Sequence, residues 1–161
     1  FVEKIFPRIR ATVPDTTFYI VGSRPTTEIR RLERTENIVV TGFVEDVRDY
    51  LAMADVCVVP LRIARGIQNK VLEAMAMEKP VVTTSQAFEG IKAVSGEEII
   101  TADDEDMFAA AVIVLLQDRQ KAEIMGAKAR QCMEAYYSWD RNLSVLNGIF
   151  KTDKVNPDEI Q

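Results

Sequence analysis

The chain contains no histidine among its 161 residues. That absence removes imidazole, and with it Ser-His-Asp and Cys-His sites, His-ligated metals and histidine acid–base chemistry. Cysteine is scarce, with only Cys57 and Cys132. Two soft ligands do not make a zinc site. Both lie in apolar-patterned stretches and read as buried free thiols, which suits a reducing cytoplasm. Long hydrophobic runs are missing too: the longest, Met107 to Leu116, is too short to span a bilayer. There is no Gly-x-Gly-x-x-Gly turn, internal repeat or low-complexity segment. The opening Phe1-Val2-Glu3-Lys4 is not a signal peptide and lacks an initiator methionine. It starts inside an apolar-periodic segment, so the chain reads as a piece of something longer.

What is present describes one α/β domain. Hydrophobic residues make up 47% of the chain, enough for one core. The 20 basic and 25 acidic residues leave a net charge of −5, which argues against a duplex nucleic-acid partner. Val2, Ile5, Phe6 and Ile9 recur at helical spacing, and Pro7 predicts a kinked or late-starting helix. Strands are predicted at Thr17–Val21, Ile38–Thr41, Val56–Val59, Val81–Thr84 and Glu98–Thr101. Between them fall helices at Thr26–Arg34, from Val47 behind an Asp46 N-cap, and from about Ile67 to Met77. Ser85 to Ser95 reads as a loop holding a helical turn. An acid-led helix then runs from about Asp103 to Gln117. Others are predicted from Arg119 to about Tyr137 and from Trp139 to Phe150, before a polar tail, Lys151 to Gln161.

Strands without a polar face, alternating with helices, imply a parallel sheet covered on both sides. Ligands of such sheets bind beyond the carboxyl ends of the strands. Here those ends are Gly22 to Arg24, Gly42 to Val44, Pro60 to Gly66 and Thr83 to Phe88. A phosphoacceptor receiver domain would need acidic residues there, but Gly22, Gly42, Pro60 and Thr84 stand in those places.

Gly66 is predicted where a loop becomes a helix, with Arg62 and Arg65 on the approach. Unpaired N–H groups of a first helical turn bind anions, and a glycine lets a phosphate come close. A glycine serving only the turn, with solvated arginines, is an equal reading of these residues. At 100° per residue, Gly66, Lys70 and Glu73 share one helix edge, separate from an apolar arc of Ile67, Val71, Ala74 and Met75. Glu73 could accept hydrogen bonds from the vicinal hydroxyls of a ribose. A surface ion pair between Lys70 and Glu73 is the plainer alternative.

The stretch Pro60 to Val82, PLRIARGIQNKVLEAMAMEKPVV, resembles the signature of the group 1 retaining glycosyltransferases of GT-B fold. Ile20 to Pro25, Val40 to Val44 with Leu51 to Val56, and Tyr137 to Asp140 resemble further motifs of that family in the same order. The resemblance implies the C-terminal, donor-binding half of such an enzyme, with a Rossmann-like sheet. It implies transfer of a sugar from a nucleoside diphosphate sugar to an acceptor hydroxyl, in polysaccharide or glycoconjugate synthesis. The alternative is a non-catalytic nucleotide-binding or scaffolding module on the same architecture.

By resemblance, Glu73 matches the ribose ligand, and Gly66, Ile67 and Gln68 match residues holding the diphosphate or sugar. Phe43 and Val44 match positions beside the base, and Gly22 lines the donor cleft. Lys70 either meets phosphate or serves packing or an ion pair. Arg65 occupies the place of the family's first glutamate, so no residue of this chain is assigned as catalytic. Arg24 and Glu78 stand where glycine is common in the family. The resemblance further implies that the domain's first strand and the N-terminal acceptor domain lie outside the chain. No cofactor or metal is expected. The expected location is the cytoplasm, with peripheral attachment to the inner membrane face left open. The domain is expected over residues 1–150, with 151–161 as tail.

Overall fold

A computed structural model describes residues 1–138 and Leu143. Five strands alternate with seven α-helices in those residues. Helix α1 (Phe6–Thr12) starts late, as Pro7 predicts, because proline is tolerated in a first turn whose N–H groups have no helical partner. Strand β1 (Phe18–Val21) leads to α2 (Thr27–Arg31), which tightens into a 3-10 turn, Leu32–Arg34. Strand β2 (Ile38–Gly42) leads to α3 (Val47–Met53), where the Asp46 carboxylate accepts from the Arg48 N–H at 2.8 Å, the expected N-cap. Then come β3 (Cys57–Val59), α4 (Asn69–Ala76), β4 (Val81–Thr83) and the single turn α5 (Ser85–Phe88). Strand β5 (Ile100–Thr101), α6 (Glu105–Gln117) and α7 (Arg119–Tyr137) complete the series. Apart from Leu143, the predicted helix from Trp139 to Phe150 and the tail 151–161 lie outside the described residues.

Every strand pairing is parallel, but the strands do not form one continuous sheet. Strand β1 pairs with β2, and β4 pairs with β3 on one side and β5 on the other. The expected parallel α/β layering is therefore present in two pieces. Strand β4 shows the layering best. Val81 faces a core cluster with Val71, Ala74 and Met75 of α4 and Ala129, Cys132 and Met133 of α7. Its neighbour Val82 faces the other cluster, with Ile5 and Ile9 near α1 and Phe108, Val112 and Leu115 of α6. Successive residues of a strand point to opposite faces, so two adjacent valines serve two cores. Both are fully buried, as an interior parallel strand requires.

Helices α4 and α7 cross where Gly126 meets Glu78. A Cβ on Gly126 would lie 2.0 Å from the Glu78 carbonyl oxygen, so only glycine fits the crossing. The Arg130 guanidinium then donates to the Ala76 carbonyl at 2.6 Å, closing the carboxyl end of α4.

Candidate functional site

The loops beyond the carboxyl ends of the strands converge as the alternation predicts. The Thr83 hydroxyl donates to the Val59 carbonyl at 3.1 Å, and Thr84 donates to the Leu61 carbonyl. These bonds tie the exits of β3 and β4 together. Asp103, just after β5, accepts from both the Ser85 N–H at 2.8 Å and the Ser85 hydroxyl at 2.6 Å. The hydroxyl, then the amide, hold its carboxyl below the usual carboxylate range. The floor of the site is thus fixed by short polar bonds that cross from strand to strand.

The segment before α4 differs from the expected helix start. The helix opens at Asn69, not Ile67, with Gln68 in the N-cap position. Gly66 has φ +67, a left-handed conformation that interrupts helix and favours glycine. The Gln68 side-chain amide donates to the carbonyls of Gly66 at 3.0 Å and Arg65 at 3.3 Å. These local bonds take the place of a first helical turn. The consequence favours anion binding. Among the described residues, the main-chain N–H groups from Gly66 through Lys70 make no protein hydrogen bond. Five successive unpaired donors lead into the positive end of a helix.

Around this loop the expected residues take distinct positions. Glu73 and Lys70 are exposed, and no ion pair joins them, so the plainer alternative is not realised. Both border a large cleft. Arg65 is exposed and makes no ion pair among the described residues, whereas Arg62 is held at 3.0 Å by Glu105. Glu105 also receives Lys4 at 3.0 Å and Arg8 at 3.6 Å. Lys4, ahead of the other cations, draws its carboxyl below the usual range. Glu105 was not foreseen: it is 43 residues from Arg62 and reads in the sequence only as first-turn acid. Ile67 lies over the next loop, where a Cβ on Gly90 would come 3.3 Å from its Cγ1.

Among the described residues, Gly22 has open space where a side chain would stand, so none of them demands glycine there. Phe43 is 76% exposed just beyond β2, a large apolar ring facing water, with half-buried Val44 beside it. Arg24 and Glu78 have φ +53 and +58. Both non-glycine departures therefore sit in left-handed backbone, which explains physically why glycine suits these places. Cys57 and Cys132 are free, half-buried and buried respectively, and burial pushes both thiols up to about 11. They take no part in the site. Among the described residues no three His, Cys, Asp or Glu side chains gather as metal ligands, and no helix is long and apolar enough to cross a membrane.

Parallel strands flanked by helices, with an unpaired amide run and a carboxylate beyond their ends, define a Rossmann-like domain of the GT-B glycosyltransferase type. The pattern of the family "Glycosyl transferases group 1" matches residues 1–118, and the chain belongs to that family. A Corynebacterium glutamicum protein named GDP-mannose-dependent monoacylated alpha-(1-6)-phosphatidylinositol monomannoside mannosyltransferase is 32% identical over 93% of this chain. The chain spans 42% of that relative's length. Staphylococcus aureus TarM, solved with UDP among its ligands, superposes with a TM-score of 0.78 at 18% identity. That match covers 92% of this chain and 31% of TarM. The C-terminal domain of a group 1 family protein from Francisella tularensis superposes with a TM-score of 0.67 at 18% identity. There the match covers 84% of this chain and 79% of that one, a likeness of fold.

Proposed function

We propose that this chain is the donor-binding half of a retaining glycosyltransferase. The enzyme moves a sugar from a nucleoside diphosphate sugar to an acceptor hydroxyl supplied against an N-terminal domain of the same protein. The observation that carries the reading is the row of unpaired amides from Gly66 to Lys70, with exposed Glu73 one turn further. The amides of Gly66, Ile67 and Gln68, with the cations of Arg65 and Lys70, receive the diphosphate. As the bond from the anomeric carbon to the diphosphate oxygen breaks, they stabilise the charge that gathers on the leaving group. Glu73 accepts from the ribose hydroxyls. Phe43 and Val44 lie against the base, and Gly22 leaves room for the donor.

In this reading the donor is a substrate, and the chain's own cations serve the diphosphate in place of a metal. The names of relatives support it: one is GDP-mannose-dependent, and TarM was solved with UDP. The relative's named acceptor is a phosphatidylinositol glycoside, so peripheral contact with a membrane surface belongs to the same proposal.

A second reading, a binding or scaffolding module, is favoured by one residue, Arg65 in place of a glutamate. Turnover separates the two. The full-length protein, offered GDP-mannose and then a panel of other nucleotide sugars, is expected to release nucleoside diphosphate from one of them in the presence of membrane lipid extract. In the Glu73→Gln form the KM for that donor should rise about tenfold or more, since a lost hydrogen bond to a charged group costs roughly 1.5–3 kcal/mol. Donor binding without turnover under all these conditions would favour the scaffold.

A further inference from the structure

Helix α4 begins differently from α2, α3, α5, α6 and α7. In each of those, a Thr or Asp side chain in the N-cap place accepts one of the first N–H groups of its helix. Gln68 holds that place at α4, and its side chain turns the other way. Its Nε2 donates to the Gly66 carbonyl at 3.0 Å and to the Arg65 carbonyl at 3.3 Å. Both hydrogens of the amide group are thereby used on the loop behind it. From Arg65 to Lys70, Gln68 is half-buried and the other residues are exposed.

Those two bonds fix two peptide planes. A trans peptide points its C=O and its N–H in opposite directions, and no described peptide bond is cis. The Arg65 carbonyl shares its plane with the Gly66 N–H, and the Gly66 carbonyl shares its plane with the Ile67 N–H. Holding both carbonyls towards Gln68 turns both N–H groups away from it. Glycine makes such a hold necessary. Gly66, at φ +67, tolerates either sign of φ, so its flanking peptides can turn over at little cost. A peptide that has turned over presents an oxygen where an anion needs a hydrogen.

We propose that the Gln68 side chain is a positioning residue of the donor site, locking the Arg65–Gly66 and Gly66–Ile67 peptides with their N–H groups facing the diphosphate. The role rests on the donor reading of the site, to which it adds the group that sets the amide row before the donor arrives. Donors already in place need no reordering when charge gathers on the leaving group. The length of the side chain matters. A serine or aspartate in this N-cap place would reach forward to the Lys70 N–H, as Asp46 reaches the Arg48 N–H at 2.8 Å. It would remove one anion donor and release both carbonyls. A better cap is therefore a worse lock.

That opposition supplies the test. The full-length protein and its Gln68→Ser and Gln68→Met forms are titrated by calorimetry with GDP, UDP, ADP and dTDP, and Tm is measured beside each. Gln68→Ser should raise Tm by about 1–2 °C, as a new cap does, yet weaken the nucleoside diphosphate that the wild type binds by about tenfold. Gln68→Met keeps the length and loses both donors, and should weaken binding by a similar factor at nearly unchanged Tm. Should Gln68→Met fail to fold, Gln68→Ser decides alone. A role confined to stability moves binding and Tm together, so weaker binding with a lower Tm in Gln68→Ser would overturn the proposal. Binding as tight as wild type in either form would overturn it too, and would leave the donor reading standing. No binding of any of the four by the wild type would remove the donor reading and the positioning role together.

Discussion

Glu78 and Gly126 show how far single residues decide this fold. Glu78 holds φ +58 immediately past α4, and its carbonyl receives the closest approach of α7 at Gly126. Gly126→Ala forces a Cβ against backbone, which cannot swing aside as a side-chain end can. A loss of about 3 kcal/mol is expected, roughly 6–12 °C in Tm by calorimetry. Glu78→Gly should act in the opposite direction. It relieves left-handed strain of about 1–2 kcal/mol and gives back part of that as unfolded-state entropy, for a gain of roughly 0.5–1 kcal/mol. Thiol chemistry belongs to the same scale. With both cysteines pushed up to about 11, iodoacetamide at neutral pH should modify the native chain far more slowly than the unfolded one.

At the scale of elements, the sequence is legible where local chemistry and burial agree. Asp46, Asp104 and Asp118 cap the helices that follow them, and the apolar strands fall within two residues of their expected places. The start of α4 was misjudged because apolar periodicity runs through Ile67, while the backbone at Gly66 is left-handed and Gln68 bonds back to the loop. Strand β5 is shorter than the expected Glu98–Thr101, since Glu98 turns its carboxylate to the Val94 N–H at 2.7 Å. The Glu105 cluster and the Asp103–Ser85 bonds were not legible, because they join residues far apart in sequence. Their pH behaviour is testable. Asp103, Glu97 and Glu105 have carboxyls held below the ordinary value, so folding favours their charged forms. That stabilisation is present above the unfolded carboxyl range near pH 4 and is lost as pH falls through the folded values. Tm should fall steeply on acidification below about pH 4.5, and Asp103→Asn should make the fall shallower while lowering Tm at pH 7.

For the whole molecule, the missing histidine reaches into stability as well as chemistry. No side chain has an ordinary pKa between pH 5 and 8, so Tm should stay level from pH 6 to 8. The family and parallel architecture were readable because motif order survives in the sequence. The break into two sheets was not legible in composition or periodicity; only the resemblance, with its first strand expected outside the chain, bears on it. The central claim is that the Gly66–Lys70 amides and Glu73 together hold a nucleoside diphosphate sugar. Its most direct test is isothermal titration of the full-length protein with GDP-mannose and the corresponding UDP, ADP and dTDP sugars, beside Glu73→Ala. Saturable binding of one donor, weakened about tenfold or more by Glu73→Ala at unchanged Tm, is the predicted result. A donor that binds equally well without Glu73, or no binding by any of them, would contradict the account.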